Sequence, residues 1–438
     1  MPLVRSIGRW AMTALVINCI VGSGIFGVPG ELSRLLGRAS PLVMIVGALT
    51  MAIIMACFTE VGSQFSEAGG PYLYLRTAYG PFAGLQVGWF HFLALTGGGA
   101  GNVVLLVNYL GSLVPPVAHG WPRILVTTLI VLSPAFANYR GVQSGANLAT
   151  LLTVAKLLPL GLLIVLGISR FSLHFEMIRP SEITSPGWGA WLSAVVLLVY
   201  AYDGCEDALL PLGEVKEPRR TVPFALGAGL LTCALVYALL QLVTVTTVGA
   251  TASDRPLADA ASVLVGRTGA GFVTIAVIIS TYGWISGGML TAPRLPYSLA
   301  VEGDLPAVIG RLHPTYQTPT VTITLYAALV WLLALSGAFL WVAALTAGSA
   351  MIMYCGVCAA LIRLRRRDPS VAALRVPFGS GLAVIGILIS MALLSQLEVK
   401  QLLLMGITGL LATANWAWAR RQRKPVLSLA GLAASPEA

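Results

Sequence analysis

Charge is scarce along this chain. Asp, Glu, Lys and Arg make up 10% of its 438 residues, against about 25% in soluble domains. With 57% hydrophobic residues as well, a soluble globule could not solvate its own surface. Histidine is nearly missing: the four residues His91, His119, His174 and His313 are scattered. No clustered His, Cys or Ser–His arrangement sits at one depth, which argues against a membrane enzyme. Neither a metal nor a cofactor is expected. Cysteines are absent from the extramembrane loops, where an oxidising compartment would favour disulfides. Cys19, Cys57, Cys205, Cys233, Cys355 and Cys358 all fall inside apolar runs. Cys355-x-x-Cys358 lacks a βαβ context or a second ligand pair, so it reads as packing. Gly98-Gly99-Ala100-Gly101 has no phosphate-binding context and reads as packing too. A sensor would be expected to carry a soluble signalling domain or a long tail, and none is evident. A channel filter would normally come from several subunits or repeats around one axis.

What the chain has instead is a series of apolar runs, most of them roughly 18 to 25 residues long, each able to cross a bilayer. The expectation is an all-α polytopic membrane protein with 12 transmembrane helices. The spans are placed near 10–36, 41–62, 82–113, 122–138, 147–169, 189–212, 222–248, 268–292, 319–336, 339–362, 376–396 and 400–419. The first run follows Arg5 and Arg9 as a signal peptide would, but it is long and glycine-broken, so it reads as a retained helix. The formal net charge of +10 does not point to nucleic acid, because the basic residues cluster in short loops and at the C-terminus. Roughly 18 Lys and Arg fall on the side of the termini and roughly 8 on the other, which places both termini in the cytoplasm and the chain in the inner (cytoplasmic) membrane.

The first span is interrupted by Gly22-Ser23-Gly24-Ile25-Phe26-Gly27-Val28-Pro29-Gly30. Glycines are poor helix formers, each costing about 1 kcal/mol relative to alanine. Glycines also permit close helix packing, but a cluster followed by Pro29 reads as a break, here placed over 22–27. Irregular backbone at membrane depth is tolerated only where protein buries it or where it lines a wet cavity. About 180 residues later, Asp203-Gly204 interrupts span 6 inside Tyr200-Ala201-Tyr202-Asp203-Gly204-Cys205-Glu206-Asp207. Two interrupted spans at corresponding positions of two halves point to a transporter site. A repeat of five helices is odd, so the second copy must be inverted. Residues 1–170 are then the first repeat, 189–363 the second, 375–420 two further spans and 421–438 a cytoplasmic tail. Half-helix ends near the midplane offer amides to an anion and carbonyls to a cation. A free amino acid carries one of each.

Several stretches resemble the amino acid–polyamine–organocation (APC) transporter superfamily. They are Gly22-Ser23-Gly24-Ile25-Phe26, then Ala68-Gly69-Gly70-Pro71-Tyr72-Leu73-Tyr74. Gly204-Cys205-Glu206 through Glu214-Val215-Lys216-Glu217-Pro218-Arg219-Arg220 follows, and then Arg294 through Glu302-Gly303-Asp304-Leu305-Pro306. The motifs occur in the superfamily's order over about residues 8–365. The resemblance implies a leucine-transporter-like fold, a 5+5 inverted repeat with helices 1 and 6 broken, that works by alternating access. By position, it implies that the amides of Ser23, Gly24 and Ile25 hold a substrate carboxylate. The carbonyls of Ile20, and those around Tyr200, Ala201 and Asp203 beside Gly204, would hold the ammonium. Tyr200 matches an aromatic gate. Where many members have an apolar or small residue beside the break glycine, this chain has Asp203.

A charge at the bilayer centre costs about 2.5–3.5 kcal/mol on insertion scales, so each one needs an explanation. Lys156 lies deep in span 5. It is either fixed to a carbonyl or an acid of span 6, or it takes the position of a sodium ion. The resemblance implies the latter, a lysine of sodium-independent members that binds and releases a proton. Asp203, Glu206 and Asp207 have i, i+3, i+4 spacing if helical. Three like charges side by side cannot all ionise in a low dielectric. Glu206 resembles an acidic position linked to proton or pH sensing; Asp207 is a helix-end charge or part of the same site. An alternative role for Asp203 is recognition of a cationic side chain. Trp284 and Ser286 are expected to face the site, with room beside Gly287-Gly288. His91 is expected to pack or lie at the interface, and Glu60 to face cytoplasmic water. The functional expectation is a secondary amino acid transporter, proton-coupled or exchanging and sodium-independent. A sodium-coupled amino acid or polyamine symporter, or a non-transporting amino acid sensor, is the alternative.

Overall fold

The computed structural model describes residues 8–65, 70–140, 146–171, 186–209, 215–249, 253–316, 318–367 and 374–422. Residues 66–69, 172–185, Glu214 and those from 423 onward lie outside the described residues. Sixteen α-helices occur among the described residues. The first eight are α1 (Arg9–Ile20), α2 (Ser23–Leu36), α3 (Ser40–Gly62), α4 (Gly70–Tyr79), α5 (Pro81–Leu113), α6 (Gly120–Tyr139), α7 (Ala146–Phe171) and α8 (Trp188–Tyr202). They are followed by α9 (Pro218–Thr247), α10 (Pro256–Val265), α11 (Arg267–Thr291), α12 (Arg294–Val301), α13 (Thr320–Ala334), α14 (Phe339–Arg367), α15 (Gly379–Leu394) and α16 (Val399–Gln422). Prolines open α5, α9 and α10 at Pro81, Pro218 and Pro256, where a missing N–H is harmless.

Among the described residues seven segments are long and apolar enough to cross a membrane, and five shorter apolar helices accompany them. The outer faces are apolar: Leu49, Leu129, Leu388 and Leu410 are each more than half exposed. A face of that kind is stable against acyl chains rather than water. The protein is therefore an all-α, multi-pass membrane protein. Inside, α5 and α14 pack together at the centre, α2 lies on α8, and α1 lies on α9.

The chain leaves helical geometry at Val21–Gly22 and again after Tyr202, with outlines other than those expected. The first is narrower than 22–27: the helix stops at Ile20 and restarts at Ser23, so only Val21 and Gly22 fall between the two helices. The glycines that follow are helical and serve close approach. A Cβ on Gly24 would stand 2.5 Å from the Cα of Ala201, so α2 and α8 touch backbone to backbone. At the second interruption α8 ends at Tyr202, turns follow, and a short 3₁₀ stretch covers Asp207–Leu209. Gly204 has φ +102°, and a Cβ there would lie 2.7 Å from the Cys19 carbonyl oxygen. The helical i, i+3, i+4 spacing of Asp203, Glu206 and Asp207 is therefore not realised, because the segment is not wound.

One charge is placed differently from the expectation. Glu60 does not face water; it is 0% exposed. Arg365 near the end of α14 donates from Nε to its Oε1 and from Nη2 to its Oε2, both at 2.5 Å, and the Val376 amide adds a bond of 2.8 Å. A fork of this kind satisfies a buried carboxylate that burial alone would destabilise. A second polar clamp joins α4 to the turn that follows α12. The Tyr72 hydroxyl donates to Asp304 Oδ2 at 2.5 Å, and Arg76 contacts Tyr72, Asp304 and Glu302. Asn415 of α16 donates to the Asp304 carbonyl at 2.7 Å.

Candidate functional site

The last carbonyls of a helix have no intrahelical donors, and at the end of α1 side chains from three other helices supply them. Lys156 Nζ on α7 donates to the carbonyls of Asn18 at 3.3 Å and Val21 at 3.1 Å. Trp284 Nε1 on α11 donates to Cys19 at 3.3 Å, and the Tyr237 hydroxyl on α9 donates to Ile20 at 3.1 Å. The Gly22 amide also donates to Ile20, at 2.9 Å. The interruption is thus a ring of carbonyls with donors on every side, one of them an ammonium.

Across the gap, the first turn of α2 points its amides back toward the same space. The Ser23 amide donates to Asn102 Oδ1 at 3.1 Å, while Asn102 Nδ2 donates to the Gly98 carbonyl. The hydroxyls of Ser23 and Tyr200 are 2.5 Å apart, and the Phe339 ring meets Tyr200 edge-on at 5.8 Å. A cavity opens here, lined by residues of both interruptions and of α5 and α11, including Gly22, Ser23, Asn102, Tyr200, Asp203 and Trp284. Its volume is about 30 Å³, room for on the order of two waters.

The turn after α8 supplies the acids. Tyr354 Oη on α14 lies 2.7 Å from Asp203 Oδ1 and 2.9 Å from Glu206 Oε1. His91 Nε2 on α5 is 3.4 Å from Asp207 Oδ1. Among the described residues no group of three or more His, Cys, Asp or Glu is arranged to hold a metal ion.

The model of a known family, described as amino acid permease, matches residues 7–415. The chain belongs to that family. It is similar to the serine/threonine exchanger SteT of Bacillus subtilis (strain 168), 29% identical over 346 residues that cover 76% of this chain and 77% of the relative. It is also similar to an arginine/ornithine antiporter of Latilactobacillus sakei, 27% identical over 74% of this chain and 71% of the relative. The glutamate/serine transporter AimA of Bacillus subtilis (strain 168) is 26% identical over 72% of this chain and 63% of the relative. This permease is a secondary transporter of amino acids across a membrane, a member of the APC superfamily, and its relatives are transporters rather than enzymes.

Among the residues singled out in the sequence, Ile20, Ser23, Gly24, Tyr200, Asp203, Gly204, Asp207 and Trp284 line the permease's cavity together. Ile25 and Ala201 are buried just behind it, Ala201 against Gly24. Lys156 and Glu206 are buried outside the lining. Ser286 does not join them: at 100° per residue it points about 200° away from Trp284, and only Trp284 lines the space. His91 is buried, as expected of a packed histidine. Asn102, Tyr237 and Tyr354 were not anticipated. Their one sequence signal is a polar group inside an apolar run, which must find a partner across helices.

Proposed function

We propose that the permease works by alternating access on a leucine-transporter-like framework of twelve spans. In this reading the spans of residues 1–170 and 189–363 are inverted repeats, and 375–420 adds two more. The order of elements supports it. An interrupted helix, a long helix, a ten-residue helix leading into a long one, a shorter span and a final long span run from α1 to α7. The same order runs from α8 to α14, with the eight-residue α12 inserted before α13. Both termini lie in the cytoplasm and the bilayer is the inner membrane, by the distribution of Lys and Arg.

The substrate is a free amino acid bound in the small cavity. Its carboxylate meets the amides of Ser23, Gly24 and Ile25. Its ammonium meets the carbonyls of Ile20 and of Tyr200, Ala201 and Asp203, with Gly204 permitting the turn. Tyr200 closes over it, and Trp284 faces its side chain. The Ser23 amide is held by Asn102 in this structure, so binding replaces one acceptor with another rather than filling an unmet need. The cavity must also widen from about 30 Å³, because a space that holds on the order of two waters cannot take an amino acid.

Coupling is sodium-independent, by exchange or by protons, and one observation carries this. The Lys156 ammonium lies on the Asn18 and Val21 carbonyls, the ligand type a sodium ion would use. Two of the relatives named above are an exchanger and an antiporter, which suits exchange. The test is uptake of labelled amino acids into proteoliposomes driven by a proton gradient, a sodium gradient, or internal amino acid alone. Uptake driven by internal substrate or protons agrees with the reading, and loss of proton dependence in Lys156→Ala assigns the coupling to this residue. Sodium-driven uptake overturns it.

A further inference from the structure

The hydroxyl of Tyr354 stands between two carboxyl oxygens, and counting protons there has a consequence. Tyr354 is 0% exposed, with Oη 2.7 Å from Asp203 Oδ1 and 2.9 Å from Glu206 Oε1. A phenol has one proton and donates once, and an ionised carboxylate only accepts. With both acids ionised, one of the two contacts would set lone pair against lone pair at hydrogen-bonding distance. One acid must therefore bring a proton of its own.

The surroundings say which. Asp203 is partly exposed and lines the cavity, whereas Glu206 is 3% exposed and lies behind it. Among the described residues Glu206 Oε2 finds no donor, and the Glu206 carboxyl also lies within hydrogen-bonding reach of the Asp203 carboxyl. Leaving an ionised oxygen bare in a buried site is far more costly than leaving the carbonyl oxygen of a neutral acid bare. So Glu206 Oε1–H donates to Tyr354 Oη, and Tyr354 O–H donates to Asp203 Oδ1. The chain of donors runs from the buried acid to the cavity.

We propose that Glu206, Tyr354 and Asp203 form a proton wire through which the buried Glu206 acid exchanges its proton with the cavity. In the step, the O–H bond at Glu206 Oε1 breaks as its proton passes to Tyr354 Oη, and the hydroxyl's own proton passes to Asp203 Oδ1. Glu206 becomes a carboxylate, Asp203 a neutral acid, and the phenol is restored. Release of that proton from Asp203 to water in the cavity leaves both acids ionised, so it requires one of the two carboxylates to leave Tyr354 Oη. The proposal rests on the reading of this cavity as the transport site. The groups facing the wire are Asp207 and Cys205 on the same turn, Cys19 on α1 and His91 on α5, while Lys156 on α7 faces Cys19. The Phe58 ring of α3 meets Tyr354 edge-on at 5.6 Å. Tyr354 is a positioning residue for the proton, and the geometry gives it no contact with substrate.

The experiment compares wild type and Tyr354→Phe in proteoliposomes loaded with amino acid and a pH-sensitive dye. It follows labelled amino acid and lumenal pH together, with each variant normalised to its own uptake. The expected result is a fall of at least about tenfold in proton movement per amino acid in Tyr354→Phe. The effect should persist when both are placed in a His91→Gln background. Infrared difference spectra of the purified protein give a readout that needs no transport: a protonated carboxyl band that Glu206→Gln removes and Tyr354→Phe keeps. If the wild type moves no amino acid, the transport reading fails while the infrared band still tests where the proton sits. If it moves amino acid with no protons, or with the same proton ratio in Tyr354→Phe, the wire is wrong. It is equally wrong if the effect vanishes in the His91→Gln background or if the carboxyl band survives in Glu206→Gln.

Discussion

The closest backbone approach described at the site makes Gly24→Ala the sharpest perturbation. The added Cβ would stand 2.5 Å from Ala201 Cα, 2.9 Å from Ala201 Cβ and 3.4 Å from Ala201 N. Non-bonded carbons settle at about 3.5–4.0 Å, so α2 and α8 must part by about 1 Å. Overpacking of this kind destabilises by about 1–3 kcal/mol, which a multi-span bundle can survive. The functional effect is larger, because α2 carries the Ser23–Ile25 amides and α8 carries Tyr200. A displacement of about 1 Å between groups that act together is on the order of a 100-fold loss. The assay is exchange of labelled amino acid in proteoliposomes, per monodisperse protein recovered by gel filtration. Ala201→Gly added to Gly24→Ala removes the 2.9 Å contact but leaves the 2.5 Å contact with backbone, so rescue should be partial at most. Gly161→Ala, with nothing within 4 Å of the new Cβ, should behave as wild type. Transport by Gly24→Ala within about twofold of wild type would refute the reasoning, since it would mean the helices part without consequence.

Other expectations follow from the same structure. Glu60→Ala leaves Arg365 unpaired and removes the acceptor of the Val376 amide. Breaking a buried pair in this way costs about 3–5 kcal/mol; the lower end applies because the Arg365 side chain keeps 22% exposure. Thermal unfolding should show the drop, and a double-mutant cycle with Arg365→Gln that gives no coupling would rule the clamp out. Lys156→Met should leave the Asn18 and Val21 carbonyls without this donor, at about 1–3 kcal/mol. Lower stability together with lost coupling in that variant would separate its two roles. Gly204→Ala forces a Cβ onto φ +102° and within 2.7 Å of the Cys19 oxygen. Substrate binding measured by calorimetry should disappear, and binding at wild-type strength would contradict the assigned turn.

The apolar runs were legible to within a few residues where length and hydropathy decide. The span expected at 82–113 is Pro81–Leu113. The interruptions were legible because Gly22 and Asp203-Gly204 break a pattern that is otherwise uniform. What could not be read was their outline. A glycine suits both an open backbone and a close helix contact, and only the position of Ala201 shows that Gly24 serves contact. The partners were equally hidden. Tyr354 meets Asp203 across 151 residues and Arg365 meets Glu60 across 305. A single tyrosine in an apolar span has no periodicity to betray it, and Glu60 at a helix end looks like any solvated acid. Ser286 was misplaced by proximity in sequence, where two residues on a helix mean nearly opposite faces.

A cavity of about 30 Å³ also changes what a binding measurement on this protein means. If substrate binds in this cavity, as proposed, only a widened form can accept it, and the observed affinity is the intrinsic one multiplied by the fraction of molecules widened. If about one molecule in a hundred is widened, binding is about a hundredfold weaker than its contacts alone would give. Two amino acids that fill the pocket equally well then show the same penalty, and their ratio reports chemistry while their absolute values report the bundle. A substitution far from the pocket that raised the widened fraction would tighten both together.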